Sequence, residues 1–208
     1  MITHATVSDS KAVFHQEFPF VIPPLYRKLT DELLVELHLL SHQKTFSPDK
    51  LFAVGLTTVV SMFTEGYDPK DHVKGLFEAL CKSNGFDSAE IRRSSEEVLS
   101  KTTKLSIAQF KDDIIQGAEN NELIQICLDT KNKYYSRLTA IGIFSLLESI
   151  DSSEEEELAQ DKQTILKAFI NRLGFSEARA EKDISLLKGN LDKMKKAMEI
   201  LNESQKAS

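Results

Sequence analysis

Apolar side chains recur at steps of three and four along most of this chain, the period of one face of an α-helix. No window alternates apolar and polar residues with β-branched enrichment, so the pattern predicts an all-α fold without strands. Capping residues divide it into segments. Thr6 with Asp9 opens a short helix that Pro19 stops. Pro23 and Pro24 lead into a second, whose Leu25, Leu29, Leu33, Leu37 and Leu40 share one face. Ser47 before Pro48 predicts an N-cap with proline at N1, and the helix that follows, Asp49 to Glu65, is apolar nearly all round and belongs inside a core. Asp68, Pro69 and Asp71 open the next, which runs to Gly85. Asp87 with Glu90 and Ser106 with Gln109 are further capping signatures. Helices around Ala118–Asp129 and over "YYSRLTAIGIFSLLESI" follow. The last two run from about Glu154 to Leu173, closed by Gly174, and from the N-cap Ser176 towards Ser204.

"LFAVGL" at Leu51 and "LTAIGI" at Leu138 place Ala and Gly within one turn of each other in both central helices. A glycine inside a helix costs about 1 kcal/mol against alanine, so Gly55 and Gly142 predict that these two helices approach closely in the core.

The final helix carries the most regular pattern. Its large apolar residues stand at Ile184, Leu187, Leu191, Met194, Met198 and Leu201, with Ala180 one turn earlier, and charges of both signs flank them. A stripe of two residues per heptad suits a single partner helix better than a broad core. The helix before it is shorter, so an antiparallel hairpin covers at most the first half of the seam. The distal part then projects, offering Leu191, Met194, Met198 and Leu201 to a partner helix or to a second copy of the chain. Lys188, Lys193, Lys195 and Lys196 allow an alternative use against an anionic membrane surface. Gly189 with Asn190 marks a weak point in the helix. The expected organisation is therefore a helical body over residues 1–150, then an acidic connector, a helix and a long C-terminal helix of coiled-coil character over 151–208.

Composition narrows the function classes. Charged residues make up 28% of the 208, and the net charge of −6 argues against nucleic acid as the main partner, because phosphate binding wants a basic face. Asp151, Glu154, Glu155, Glu156, Glu157 and Asp161 concentrate the negative charge. Cys81 and Cys127 lie in apolar helical patterns and read as buried free thiols. The opening residues show no apolar h-region, and the longest apolar run, Leu51 to Phe63, falls short of the roughly twenty residues of a spanning helix.

Candidate chemistry is sparse. The glycines stand singly, so neither a dinucleotide fingerprint nor a P-loop forms, and no paired CxxC occurs. His38 and His42 in "HLLSH" share a helix face, but Leu39 stands where a zinc peptidase needs glutamate. No catalytic, cofactor or metal residue is expected. Arg137 lies between Tyr134, Tyr135 and a long apolar run, so its guanidinium needs a carboxylate, and Glu32 and Glu36 are the expected partners in a structural ion pair.

Several motifs in order resemble the thylakoid-formation proteins, photosystem II biogenesis factors of cyanobacteria and chloroplasts. They are "TVSDSK" (Thr6), "YRKLTDELLVELHLL" (Tyr26), "FAVG" (Phe52), "FTEGYDP" (Phe63), "LFEALC" (Leu76), "YSRLTAIGIFSLLE" (Tyr135) and "NLDKMKKAME" (Asn190), and they span nearly the whole chain. The resemblance implies a helical, non-enzymatic protein at the thylakoid surface. It further implies action in photosystem II assembly and repair and in thylakoid organisation, association with the FtsH membrane protease, and possible contact with photosystem II subunits. With five residues before "TVSDSK", it implies a cyanobacterial protein on the cytoplasmic side of the thylakoid membrane, peripheral at most.

Overall fold

The computed structural model describes residues 5–102, 107–116, 121–130, 134–150 and 157–206. Among them are ten α-helices and no strand. In chain order these are α1 (Val7–Glu17), α2 (Pro24–Ser41), α3 (Lys50–Phe63), α4 (Asp71–Lys82), α5 (Ser88–Thr102), α6 (Ile107–Gln116), α7 (Glu122–Leu128), α8 (Arg137–Ser149), α9 (Glu157–Arg172) and α10 (Glu177–Lys206). Local chemistry sets most boundaries. At α1 the Asp9 amide donates to Thr6 Oγ1 at 3.3 Å while the Thr6 amide donates to Asp9 Oδ2 at 2.7 Å, so each satisfies an otherwise orphan donor. Gly174 has φ +77° and lets the Phe175 amide turn back to the Ile170 carbonyl at 3.0 Å, closing α9.

Several boundaries differ from the sequence expectation. The α3 cap is Asp49, whose Oδ1 accepts from the Phe52 amide at 2.8 Å; Ser47 stands too early in the chain to reach that donor. The first turn of α8 is capped by Ser136 Oγ, which accepts from the Thr139 amide at 2.9 Å, so Tyr134 and Tyr135 precede the helix. Asn121 Oδ1 accepts from the Leu123 amide, and α7 is shorter than expected. The Ser106 cap and the acidic stretch 151–156 lie outside the described residues, as do the side chains of Cys127, Glu157 and Asp161. Cys81 is buried, as its apolar setting predicts.

The chain forms two compact units, one of Met1–Phe46, Val60–Ala89 and Lys188–Ser208, the other of Ser47–Val59 and Glu90–Leu187. The division does not fall at residue 150. The reason lies in α9, which packs on α6 and α8 and so belongs with the middle of the chain rather than with a terminal appendage.

In the first unit α1, α2 and α4 pack on one another. Leu33, Leu34 and Leu37 of α2 are buried, as are Phe14 of α1 and Phe18 at its C-cap, while Leu39 on the outer face of α2 is exposed. Ion pairs Lys11–Asp31 (2.9 Å) and Lys82–Glu17 (2.8 Å) tie α1 to α2 and α4 at the surface, each contributing little in water.

The second unit is built on one apolar cluster, with Leu51 and Val54 of α3, Phe110 of α6, Leu146 of α8 and Phe169 of α9 among its members. Its tightest point is the crossing of α3 and α8. A Cβ on Gly55 would lie 1.8 Å from the Leu138 carbonyl oxygen, and one on Gly142 would lie 1.9 Å from that of Leu51. The expected close approach is present, and backbone packs directly on backbone. Only glycine fits at either position without moving a helix.

Candidate functional site

The seam of α10 divides into two differently supported halves. The proximal half belongs to the second unit. Its helix opens at Ser176, whose Oγ accepts from the Arg179 amide at 3.4 Å. Ala180 is fully buried in the apolar cluster, and Ile184 and Leu187 are each 6% exposed. Polar contacts fix its rotation. The Tyr135 hydroxyl donates to Asp183 Oδ2 at 2.7 Å, the Arg179 guanidinium lies 4.4 Å over the Tyr135 ring, and Lys167 pairs with Glu181 at 3.2 Å. The seam begins in the second unit's core, where Ala180 shares the apolar cluster with Phe169 and Ile170 of α9.

The distal half belongs to the first unit and does not project as expected. Met194 is 7% exposed, Leu191 and Met198 are half-buried, and the Leu201 side chain lies outside the described residues. The reason is that α2 and the turn after α3, rather than another long helix, offer matching surface. Met194 meets Leu25, Leu29 and Phe63 around a cleft of about 220 Å³, whose polar margin is Lys28, Glu32, Asn190 and Lys193. Farther along, Met198 Sδ accepts from the Tyr26 hydroxyl at 3.9 Å and fills the space before Gly66, where a Cβ would stand 2.3 Å from the sulfur. Neither Tyr26 nor Gly66 stands out in sequence as part of this site. Gly66 reads there only as a helix terminator.

The Tyr26 and Tyr67 rings lie 4.8 Å apart, and both side chains are buried. Burial raises both phenol pKa values above the ordinary tyrosine value, and for Tyr26 the neighbouring Tyr67 adds to it. The Tyr67 hydroxyl is buried and has no hydrogen-bond partner among the described residues.

The remaining candidates have structural settings. His38 Nδ1 lies 2.9 Å from Ser10 Oγ, and burial, with His42 beside it, lowers the His38 pKa below its ordinary value. The two imidazoles stand 4.3 Å apart, and His42 Nδ1 lies 2.8 Å from the His38 carbonyl oxygen. Among the described residues no group of three or more His, Cys, Asp or Glu could hold a metal ion. Arg137 begins α8 and is half-buried, Glu32 and Glu36 are half-buried on α2, and Glu32 lies 3.9 Å from Lys28 one turn away. Among the described residues no helix is long and apolar enough to cross a membrane.

Comparison with known proteins gives this geometry its context. Protein Thf1 of Prochlorococcus marinus strain NATL1A is 46% identical over 97% of this chain and 96% of its own length. Protein Thf1 of strain MIT 9313 is 44% identical over 98% of this chain and 85% of its own. A solved structure of Psb29 at 1.55 Å superposes with a TM-score of 0.83 at 25% identity, covering 98% of this chain and 96% of that one. The family model described as thylakoid formation protein matches residues 6–208. A match of that extent, with relatives this similar along nearly their whole length, makes the chain a member of the thylakoid formation protein family.

Proposed function

We propose that this protein is a non-enzymatic factor in thylakoid formation and photosystem II biogenesis and repair. It works at the cytoplasmic face of the thylakoid membrane by associating with the FtsH membrane protease through helix–helix contacts. Membership of the thylakoid formation family and likeness to Psb29 support the process. The observation that carries the mode of contact is the cleft between α2 and distal α10. Half-buried Leu25 and Leu29 and the edge of Met194 leave an apolar trough beside the helix, with Lys28 and Lys193 at its margin. A partner helix with one bulky apolar residue and acidic neighbours fits such a trough. The seam residues Leu191 and Met194 then serve both their own unit and the partner, instead of extending into solvent.

Capture of the protease from thylakoid membranes by purified protein tests this reading. Leu29→Glu places a carboxylate in the trough and is expected to weaken capture about tenfold while far-ultraviolet circular dichroism stays native. Capture equal to that of the unaltered protein contradicts it. A second reading draws on the exposed Lys193, Lys195 and Lys196, which suit an anionic lipid surface. Sedimentation with anionic vesicles, present at low salt and lost at high salt, favours that reading if capture of the protease fails.

A further inference from the structure

We propose that the groove between α1 and α2 receives the C-terminal residue of a partner polypeptide, an apolar side chain next to a free carboxylate. The groove has a volume of about 330 Å³ and lies wholly within the first unit. Arg27, Thr30, Asp31 and Leu34 line it at steps of three, one and three along α2. That stripe is on the opposite side of the helix from Leu25 and Leu29, so the groove is separate from the trough beside distal α10. Phe14 and Leu34, both buried, give it an apolar lining, and the loop over residues 20–22 borders it.

Charge decides what such a groove accepts. Asp31 is already paired with Lys11 at 2.9 Å. Arg27 is exposed and makes no ion pair among the described residues; its guanidinium donates to the Ile22 carbonyl oxygen at 3.4 Å, a long and weak bond. The unpaired charge of the groove is therefore positive, and it is carried by a planar fork whose remaining donors match a carboxylate. An apolar group with a carboxylate attached suits the lining and the guanidinium together.

The loop favours a peptide over other acids of that description. Pro19 and Pro23 bound it, and Ile22, standing before a proline, is held extended. The amides of Phe20, Val21 and Ile22 donate to nothing among the described residues. Phe20 is 50% and Val21 84% exposed, and the Phe20 ring is braced by stacking on His72 at 3.9 Å. An extended chain beside the loop can offer carbonyl oxygens to these amides while its last side chain enters the groove and its terminal carboxylate meets Arg27. A fatty acid supplies the carboxylate and the apolar body but no carbonyls for the loop.

Fluorescence anisotropy with the full purified chain tests this without membrane or protease. The probe is a fluorescein-labelled hexapeptide of alanine and serine that ends in leucine with a free carboxylate; the second probe is its C-terminal amide. The free acid is expected to bind about tenfold more tightly than the amide, the gain from one charge-assisted pair at an exposed rim. Arg27→Gln, with native circular dichroism, is expected to bring the acid to the affinity of the amide and leave the amide unchanged. A merely structural effect would weaken both. Decanoate is expected to compete at least about tenfold more weakly than the unlabelled peptide. The proposal is overturned if neither probe binds, if the natural protein binds the amide as well as the acid, if Arg27→Gln weakens both alike, or if decanoate matches the peptide.

Discussion

Gly142 and Gly189 both sit inside long helices, where glycine costs about 1 kcal/mol relative to alanine. Around Gly142 the Leu51 carbonyl occupies the place of a side chain, whereas a Cβ on Gly189 would meet nothing within 4 Å. The first glycine is a contact between α3 and α8. The second is slack in α10. The same residue type therefore marks the most tightly specified point of one element and the least specified point of another, and only the packing distinguishes them.

The largest expected effect comes from closing the gap at the crossing. Gly142→Ala forces α3 and α8 apart and is expected to destabilise the protein by about 3 kcal/mol in urea unfolding, despite alanine's better helix propensity. Gly55→Ala acts on the same crossing, so the double variant should lose much less than the sum of the two, a coupling that a double-mutant cycle measures. A result near neutrality at either position would mean that the helices part easily.

Next in size is Met194→Ala, which empties the best-covered site on distal α10. About 2 kcal/mol of local stability is expected to disappear. Hydrogen exchange should show it as lost protection over the distal turns, with the proximal turns around Ala180 unchanged. Gly189→Ala sharpens the comparison from the other side. With open space for the methyl group, it is expected to stabilise α10 by up to about 1 kcal/mol, read as slower exchange across the middle of the helix.

The smallest effect is titration at His38. Its folded pKa lies below the ordinary 6.5, chiefly through burial, with the neighbouring His42 acting in the same direction and Asp9 against it. The unfolded chain therefore takes up this proton first as pH falls. The contribution is fully present above about 6.5 and is lost as pH drops through the lower folded value. Comparing stability from pH 7.5 to 5 in the natural protein and in His38→Gln isolates it, and the substitution should flatten the slope.

Much of this architecture is legible in sequence because caps and periodicity act locally. Thr6 with Asp9, Ser176 and the terminal Gly174 each act within one turn, and the approach of α3 to α8 follows from paired small residues. The α3 boundary was harder to read because Ser47 and Asp49 are both good caps, and only the position of the Phe52 amide decides between them. The division into units and the covering of Met194 and Met198 depend on surfaces distant in sequence. Nothing in the seam itself announces that Tyr26 and Gly66 form a niche for its sulfur.

The central claim, that a partner helix lies in the trough beside distal α10, is tested most directly by photo-crosslinking. A photoreactive group replaces Lys193, an exposed residue on the margin of the cleft, and the protein is irradiated in thylakoid membranes. The account predicts covalent attachment to a subunit of the FtsH protease, reduced by Leu29→Glu. Attachment to lipid alone, or to no protein, would contradict it.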